Sequence, residues 1–357
     1  MSLRLNLRGA TAACAMAATV VSGSAAASTI NQNTSWTINR TGATSTYRVV
    51  AYGDSIFAGY NGGLFSVARR AEPYISGEYL GKQWNANIEV VRRTKSGAKA
   101  DDIYNNKIIA EKSYMQATNA KVVMFEMCGN DYLQARTAFK DQTGTCSYSG
   151  LDSALAACTT YMEKGMQAIN QYATSAKVKV IMNIYYPGYN ADNVQTSCKD
   201  ASTGATINRR DKFLPYLLKS NWRACNLAAT YGFKCADSFA EMMGSDYDSN
   251  GDGQIDVDAL RFQAGESETA YVNRILALKA TLRDSNTHYA SASASYDYLQ
   301  SDDTHPTYYK STISTGSGSA TPDFTDAQIV SGKNTEWNKW GHEKSGWSIS
   351  TYNPSAP

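Results

Sequence analysis

Short apolar runs that lead into turn-forming residues recur along the chain and predict five strands. The first three cover residues 49–52, 88–91 and 121–127, and each runs into a turn containing glycine, serine or asparagine. Two further strands are predicted over residues 177–185 and 233–237. Near-continuous apolar runs of this length are typical of strands covered on both faces of a sheet.

Apolar residues at helical spacing lie between and after these strands. Leu151, Leu155, Met162 and Ile169 share one face of a helix predicted over residues 151–172. Other helices are predicted over residues 67–80, over residues 222–230 and late in the chain, at Tyr271, Ile275, Leu278 and Leu282. Because strands and helices alternate, we expect a three-layer α/β/α sandwich around a central parallel sheet, with insertions.

The first 27 residues have the pattern of a secretory signal. Arg4 and Arg8 precede an apolar stretch at residues 9–21, and Ala25-Ala26-Ala27 matches a small-residue cleavage site. The sequence therefore predicts a secreted protein, extracellular or periplasmic, cleaved near Ala27.

Composition then divides the rest of the chain into three parts. Residues 28–46 are rich in serine, threonine and asparagine, and we expect an exposed N-terminal extension with little core. Residues 47–312 are expected to form the main domain. Residues 313–357 are expected to be a C-terminal extension packed on or near that domain.

Charge and hydropathy exclude two classes of partner. The formal net charge of +2 falls to 0 when Arg4 and Arg8 are removed with the signal, so general electrostatics would not attract nucleic acid or an anionic membrane. No run approaches the roughly 18 apolar residues of a transmembrane helix. The oligomeric state stays open.

Cysteine usage predicts disulfides rather than a metal site. Six cysteines follow the signal, an even number in an exported chain, and none forms a Cys-x-x-Cys pair. Cys225 and Cys235 flank a reversal at Gly232 and are expected to pair. Our interpretation of the other four is the pairs Cys146–Cys158 and Cys128–Cys198, with other connectivities left open.

Three turns at predicted strand ends carry candidate chemistry. Ser55, Gly97 and Asn130 follow the first, second and third strands. The carboxyl ends of parallel strands meet at one edge of a sheet, which is where such folds bind ligands. A nucleophilic serine surrounded by hydrogen-bond donors is what acyl transfer requires.

The base for such a serine is sought among three histidines, His288, His305 and His342. Asp302 precedes His305 by three residues, and on a loop this spacing lets its carboxylate accept a hydrogen bond from Nδ1 of the imidazole. Nε2 then faces the serine. We therefore predict that His305 is the base and that Asp302 orients it.

Four short motifs, taken in chain order, resemble those of the SGNH hydrolases, also called the GDSL esterase/lipase family. Gly53-Asp54-Ser55-Ile56 resembles the nucleophile block, Gly97 falls at the second block, Gly129-Asn130-Asp131 resembles the third, and Asp302-x-x-His305-Pro306 resembles the fifth. Two positions depart from the pattern: Ile56 replaces the usual leucine, and Cys128 stands where the third block usually has glycine.

The resemblance spans about residues 48–310 and implies an SGNH, flavodoxin-like fold and a serine ester hydrolase. The nucleophile would be Ser55, with His305 and Asp302 as base and acid. The backbone N–H groups of Ser55 and Gly97, with the Asn130 side chain, would form the oxyanion hole.

A second motif predicts a structural calcium ion and no catalytic cofactor. Residues 246–260 contain a loop close to the EF-hand pattern, with a glycine at its sixth position and Ala259 where a glutamate is expected. The predicted oxygen ligands are Asp248, Asn250, Asp252, Gln254, Asp256 and Asp258.

The substrate is less well specified than the chemistry. The 24 tyrosines and six tryptophans are able to line an acyl groove or stack on sugars. We expect an ester of a lipid or of a short to medium acyl chain, with a carbohydrate O-acetylesterase as the alternative. Acyl transfer to an alcohol uses the same residues, and a catalytically silent, calcium-braced carbohydrate- or surface-binding module is the alternative of another class.

Overall fold

The computed structural model describes residues 29–62, 67–244, 259–284, 298–309, 313–314, 316–331, 340–350 and 357. The strands within these ranges are β1 (Ile30–Asn31), β2 (Thr34–Ile38), β3 (Thr46–Gly53), β4 (Val67–Ala68), β5 (Asn87–Ser96), β6 (Ala120–Glu126), β7 (Val178–Met182), β8 (Gln195–Lys199), β9 (Thr206–Asn208), β10 (Lys234–Ala236), β11 (Ile313–Ser314) and β12 (Gly318–Ala320).

The α-helices are α1 (Ser55–Ala58), α2 (Glu72–Trp84), α3 (Ala100–Asp102), α4 (Gly129–Lys140), α5 (Ser149–Tyr172), α6 (Arg209–Tyr231), α7 (Ser238–Met243), α8 (Glu268–Ala277), α9 (Asp326–Ser331) and α10 (Gly341–Ser350). A π-helical segment (Ile103–Ile109) continues α3, and a 3₁₀ turn follows it at Lys112–Tyr114.

An eight-stranded sheet with the order β10-β7-β6-β3-β5-β2-β12 forms the centre of the molecule, and β1 pairs with β5 beside this path. The five strands from β10 to β5 are parallel, and these are the five that the sequence predicts. β2 runs antiparallel to β5. The expected parallel core is therefore confirmed, with an antiparallel edge added to it.

Successive side chains of the central strands point to opposite faces of the sheet and so contribute to two hydrophobic layers, one on each face. On β3, Val50 and Tyr52 pack into the larger cluster with α5 and α6, while Val49 and Ala51 pack into the cluster with α2. All four side chains are fully buried. A central strand that buries both faces needs helices on both sides, so the α/β/α layering follows from this strand.

The expectation of an exposed N-terminal extension is wrong for residues 34–38. Thr34, Trp36 and Ile38 are buried on one face of β2, and the strand pairs with β5 along its whole length. The polar composition of this segment concealed the alternation of buried and less buried side chains that is typical of a strand. The intervening Ser35 and Thr37 are only partly buried.

The C-terminal residues join the core through charges as well as apolar contacts. α10 packs on α2 and α7. Its His342 pairs with Glu72 at 2.9 Å, and its Glu343 pairs with Arg70; all four side chains are fully buried. The backbone N–H of His342 also donates to the carbonyl of Thr307 at 2.9 Å. The end of the chain thus supports the loop that contains His305.

Two disulfides are present among the described cysteines, and they correct two of the three expected pairings. Cys225–Cys235 is confirmed. Cys146 pairs with Cys198 rather than with Cys158, because the loop before α5 lies against the hairpin of β8 and β9, where Cys146 N–H donates to the carbonyl of Lys199 at 2.9 Å. Cys128 and Cys158 are buried thiols.

Thiol titration checks this assignment. In protein lacking residues 1–27, we expect two thiols to react after unfolding without reductant, and almost none before it, because Cys128 and Cys158 are both 0 % exposed. Ellman's reagent with and without denaturant measures both states. A count of zero in the unfolded protein, or a peptide joining Cys146 to Cys158, would contradict the pairing.

Candidate active site

Ser55 stands at the first position of α1, directly after β3. Asp54 caps this helix, since its carboxylate accepts a hydrogen bond from the N–H of Ile56 at 2.9 Å. Gly59 ends the helix with φ +71°, a conformation that favours glycine. The result is a tight turn that holds Ser55, 6 % exposed, at the end of a central strand.

The sheet register brings three predicted strand-end residues to one edge. Gly53 is level with Thr94 of β5, and Tyr52 is level with Phe125 of β6. Ser55, Gly97 and Asn130 therefore follow adjacent parallel strands at the same carboxyl edge. Gly97 turns with φ +77°, so this position favours a residue without a side chain.

Asn130 connects the turns that follow β3 and β5. Its Nδ2 donates to Oδ2 of Asp54 at 2.9 Å and to the carbonyl of Ala98 at 3.1 Å. Ala98 directly follows Gly97. The side-chain amide of Asn130 thus lies between the serine turn and the glycine turn.

Cys128, the departure in the third block, has a backbone conformation that favours glycine. Cys128 has φ +86°, in the left-handed region where glycine is favoured and other residues are strained. The carbonyl of Cys128 accepts from the N–H of Tyr132 at 3.1 Å, which starts α4 and places Asn130 in its first turn.

Asp302 and His305 belong to one turn that hydrogen bonds hold closed. Nδ1 of His305 and Oδ2 of Asp302 are 2.6 Å apart. The other oxygen, Oδ1, accepts from the backbone N–H groups of Thr304 at 3.1 Å and His305 at 3.0 Å. Partial burial opposes ionisation of Asp302, but these hydrogen bonds prevail and lower its pKa to about 2.

Tyr60 links this turn to Ser55. The rings of Tyr60 and His305 lie 4.4 Å apart, and the N–H of Tyr60 donates to the carbonyl of Ser55 at 3.0 Å. The side chain of Gln300 donates to the carbonyls of Tyr60 at 2.6 Å and Pro306 at 2.8 Å. The histidine turn is therefore fixed to the segment that follows the serine.

A narrow cleft lies over Ser55 and Asn130 and reaches Thr304. Its walls are mainly apolar and aromatic, formed by Ile56, Tyr132, Leu133, Met182, Ile184, Tyr185, Tyr186, Pro187, Phe213 and Leu217. Arg136 also lines it, paired with the buried Asp192. An apolar cleft with a few polar groups at one end is typical of a site for a largely apolar small molecule.

Three residues at the site have no counterpart in the sequence prediction. Tyr60 and Tyr185 touch the histidine turn, the latter by donating its hydroxyl to the carbonyl of Thr304 at 2.6 Å. Glu126 ends β6 at the floor of the cleft. Of the three, Glu126 had a signal in the sequence, as an acidic residue between the apolar residues Phe125 and Met127 of a predicted strand.

Some of the predicted residues lie outside the described part of the structure. These are His288 and the six calcium ligands Asp248, Asn250, Asp252, Gln254, Asp256 and Asp258. His342, the remaining histidine, is buried against Glu72 and away from the cleft lining.

Comparison with known proteins gives a family match over most of the chain. The family model described as GDSL-like Lipase/Acylhydrolase matches residues 49–309. A comparison with curated protein sequences found no match.

Similar solved structures include two lipases and an esterase. A lipase from a goat rumen metagenome is 18 % identical, with a TM-score of 0.42 over 66 % of this chain and 99 % of that one. An extracellular lipase from Streptomyces rimosus is 16 % identical, with a TM-score of 0.38 over 65 % and 99 %. An acetylxylan esterase from Geobacillus stearothermophilus is 13 % identical, with a TM-score of 0.33 over 67 % and 94 %.

Proposed function

This chain belongs to the GDSL-like lipase/acylhydrolase family and is a carboxylic ester hydrolase, and we propose that Ser55 is its nucleophile. The observation that carries the proposal is the connection of Ser55, Asn130 and the Asp302–His305 turn around one cleft. Each group has a different role in acyl transfer, and an ester carbonyl at the end of the cleft would meet all of them.

His305 acts as the base in this proposal. Nε2 takes the proton of Ser55 as Oγ attacks the ester carbonyl carbon, and the imidazolium then gives that proton to the departing alkoxide. Water attacks the acyl-enzyme in the same way and releases the carboxylic acid. Asp302, ionised through most of the pH range because its pKa is about 2, orients the ring and stabilises its charged form.

The oxyanion is stabilised by the backbone N–H groups of Ser55 and Gly97 and by Nδ2 of Asn130. In the structure both amide hydrogens of Asn130 are engaged, with Asp54 and Ala98. One of these bonds exchanges for the oxyanion as charge develops there. A hydrogen bond to the charged oxyanion is stronger than one to the neutral ester carbonyl, so this donor favours the transition state over the ground state.

The cleft favours an acyl chain of medium length over acetate. Tyr132, Leu133, Phe213 and Leu217 give it apolar walls well beyond the reacting carbonyl, and an acetyl group would leave these walls without contact. We therefore place lipid and medium-chain esters ahead of O-acetylated carbohydrates, and hydrolysis ahead of transfer to another alcohol.

A p-nitrophenyl ester series from C2 to C16 tests the substrate class. We expect the highest kcat/KM at medium length, and we expect Leu133→Trp to lower it about 10-fold for medium chains while C2 turnover changes little, because only the longer chain reaches the filled space. Gln134→Trp, at an exposed position on the same helix, is the control. A C2 optimum unaffected by Leu133→Trp would support the acetylesterase, and no ester turnover by folded protein would support the binding module.

The disulfides Cys146–Cys198 and Cys225–Cys235 support export of this protein, because such bonds persist in oxidising compartments. Across the described segments, no helix is long and apolar enough to cross a membrane. We propose that residues 1–27 direct secretion.

We also propose that the loop at residues 246–260 binds calcium for structural support. Its six side-chain ligands all offer oxygen, the donor that calcium prefers. The loop follows α7, whose Glu241 is buried and paired with Arg261 on the far side of the loop. An ion bound by the loop would add to the connection that this ion pair makes between the segments before and after the loop.

Calcium removal gives the corresponding prediction. Returning 10 mM calcium to chelated protein should raise Tm by about 5 °C, because a ligand at about 100 times its Kd contributes about 2.7 kcal/mol. Differential scanning fluorimetry measures the shift, with magnesium and Asp252→Ala as controls. Equal Tm values with and without calcium, or an unchanged shift in Asp252→Ala, would contradict the site.

A further inference from the structure

Glu126 is a buried acid that the mechanism above does not use. It is the last residue of β6 and is 4 % exposed, beneath the cleft that opens over Ser55. Its Oε1 accepts a hydrogen bond from the backbone N–H of Asp54 at 2.5 Å. The residue that faces this carboxyl group is therefore a second acid, Asp54, which directly precedes Ser55.

Asp54 is the residue that joins the parts of the site. Its carboxylate accepts hydrogen bonds from the N–H of Ile56 and from Nδ2 of Asn130, each at 2.9 Å. Its side chain is 1 % exposed, and the carboxyl group of Glu126 lies within hydrogen-bonding reach of it. Burial raises the pKa of Asp54 above its usual value. The hydrogen bonds from Ile56 and Asn130 oppose this effect, because amide donors favour the ionised form of a carboxyl group.

We propose that Glu126 is a positioning residue that stays protonated at neutral pH and donates its acid proton to the carboxylate of Asp54. This bond, with the one from Asp54 N–H to Oε1, fixes Asp54 at two points. Asp54 then holds the turn of Ser55 and the amide of Asn130. The inference rests on the proposed role of Ser55.

Electrostatics around the pair supports the location of the proton. Two contacting carboxyl groups in a buried site do not both ionise, since like charges at this distance repel strongly. Burial raises the pKa of Glu126 well above its usual value, and the charge of Asp54 raises it further. Glu126, unlike Asp54, accepts no side-chain amide donor among its described hydrogen bonds.

The other groups facing the pair come from several elements. Glu72 of α2 adds negative charge near Glu126, although Glu72 is itself paired with His342. The charge of an ionised Glu126 would also act on Tyr185 and Cys128. Burial raises the pKa of both side chains, so they stay neutral. The imidazolium that forms at His305 during the reaction would favour the carboxylate of Asp54. Together these groups leave Glu126 as the acid that keeps the proton.

Gly53 shows how closely Glu126 approaches the serine turn. A Cβ at this position would lie 2.4 Å from Oε1 of Glu126, closer than atoms pack. The absence of a side chain at residue 53 is what lets the carboxyl group reach Asp54 N–H. The glycine of the nucleophile motif thus accommodates an acid from the neighbouring strand.

Loss of the Glu126 proton to solvent at high pH would leave two adjacent anions. Asp54 would then be repelled from its position, and the Ser55 turn and Asn130 would lose their support. The wild-type enzyme should therefore show an alkaline fall in kcat that comes from Glu126. A neutral side chain of the same shape should remove this fall.

Glu126→Gln and Glu126→Leu separate this role from a general structural one. The glutamine amide donates to Asp54 as the protonated acid does, and its oxygen still accepts from Asp54 N–H. We expect Glu126→Gln to keep kcat within about 3-fold of wild type and to lose the alkaline fall. Glu126→Leu should lower kcat about 10- to 100-fold with KM nearly unchanged, because it removes both bonds.

Glu89→Gln is the matched control, since Glu89 lies on β5 in an ion pair with Arg48, at the end of the strand away from the cleft. The pH profile of this variant should match that of wild type.

A kcat for Glu126→Gln as low as that of Glu126→Leu would overturn the inference, because the ionised form would then be required. An unchanged alkaline fall in Glu126→Gln would also overturn it, and this decides the question even if Glu126→Leu does not fold. Activity that survives Ser55→Ala would instead overturn the proposed function.

Discussion

Ser55→Ala is expected to lower kcat for ester hydrolysis by about 10⁴- to 10⁶-fold, with KM changed little. The serine oxygen is the only atom that the proposed mechanism joins to the acyl group, so its removal leaves only the oxyanion donors and substrate binding. Stopped assays on a medium-chain p-nitrophenyl ester measure the residual rate. The far-ultraviolet circular dichroism of the variant should match that of wild type, because among the described residues the hydroxyl has only a 3.5 Å contact with Asp54.

Ser202→Ala is the control for this variant, because Ser202 is an exposed serine in the loop between β8 and β9. A serine-directed phosphonate should label the wild type and Ser202→Ala once and leave Ser55→Ala unlabelled. Labelling of Ser55→Ala at wild-type rate would show that another serine is the nucleophile.

His305→Ala is the second variant with a large expected effect, again about 10⁴- to 10⁶-fold in kcat. Without the imidazole, Ser55 has no base to take its proton at neutral pH. The double variant Ser55→Ala/His305→Ala should be no slower than either single variant, since the two residues act as one unit. Steady-state kinetics of the three variants measures this non-additivity.

His288→Ala is the matched control, because His288 is a second histidine with a carboxylate, Asp284, a few residues before it in the sequence. It should retain wild-type kcat. A large loss in His288→Ala with activity kept in His305→Ala would move the base to residue 288. Additive losses in the double variant would mean that His305 acts independently of Ser55.

Local sequence patterns predicted the central strands well. The run at residues 121–127 corresponds to β6 within one residue at each end, and the helix expected at residues 151–172 begins only two residues earlier. Gly232 ends α6 with φ +73°, as expected. These elements have an apolar face or a terminating glycine within a few residues, so the information is local.

Other elements depended on contacts between distant residues. α6 begins at Arg209, thirteen residues before the predicted start, and continues through Pro215. Its Phe213, Leu214, Leu217 and Leu218 are buried in the larger core cluster. Burial of these side chains outweighs the hydrogen bond that proline cannot make. β2 also depends on distant residues, because its residues pair with positions of β5 that lie 50 to 58 residues later in the chain.

The sequence by itself determined the motifs, their order and the strand ends at which they occur, because a nucleophile turn and an Asp–His turn are local chemical patterns. Only the tertiary structure decided which cysteines pair, that Cys128 adopts a glycine conformation, and that Glu126 faces Asp54. It also decided the shape of the cleft. Each of these depends on the distance between residues far apart in the chain, and packing sets that distance.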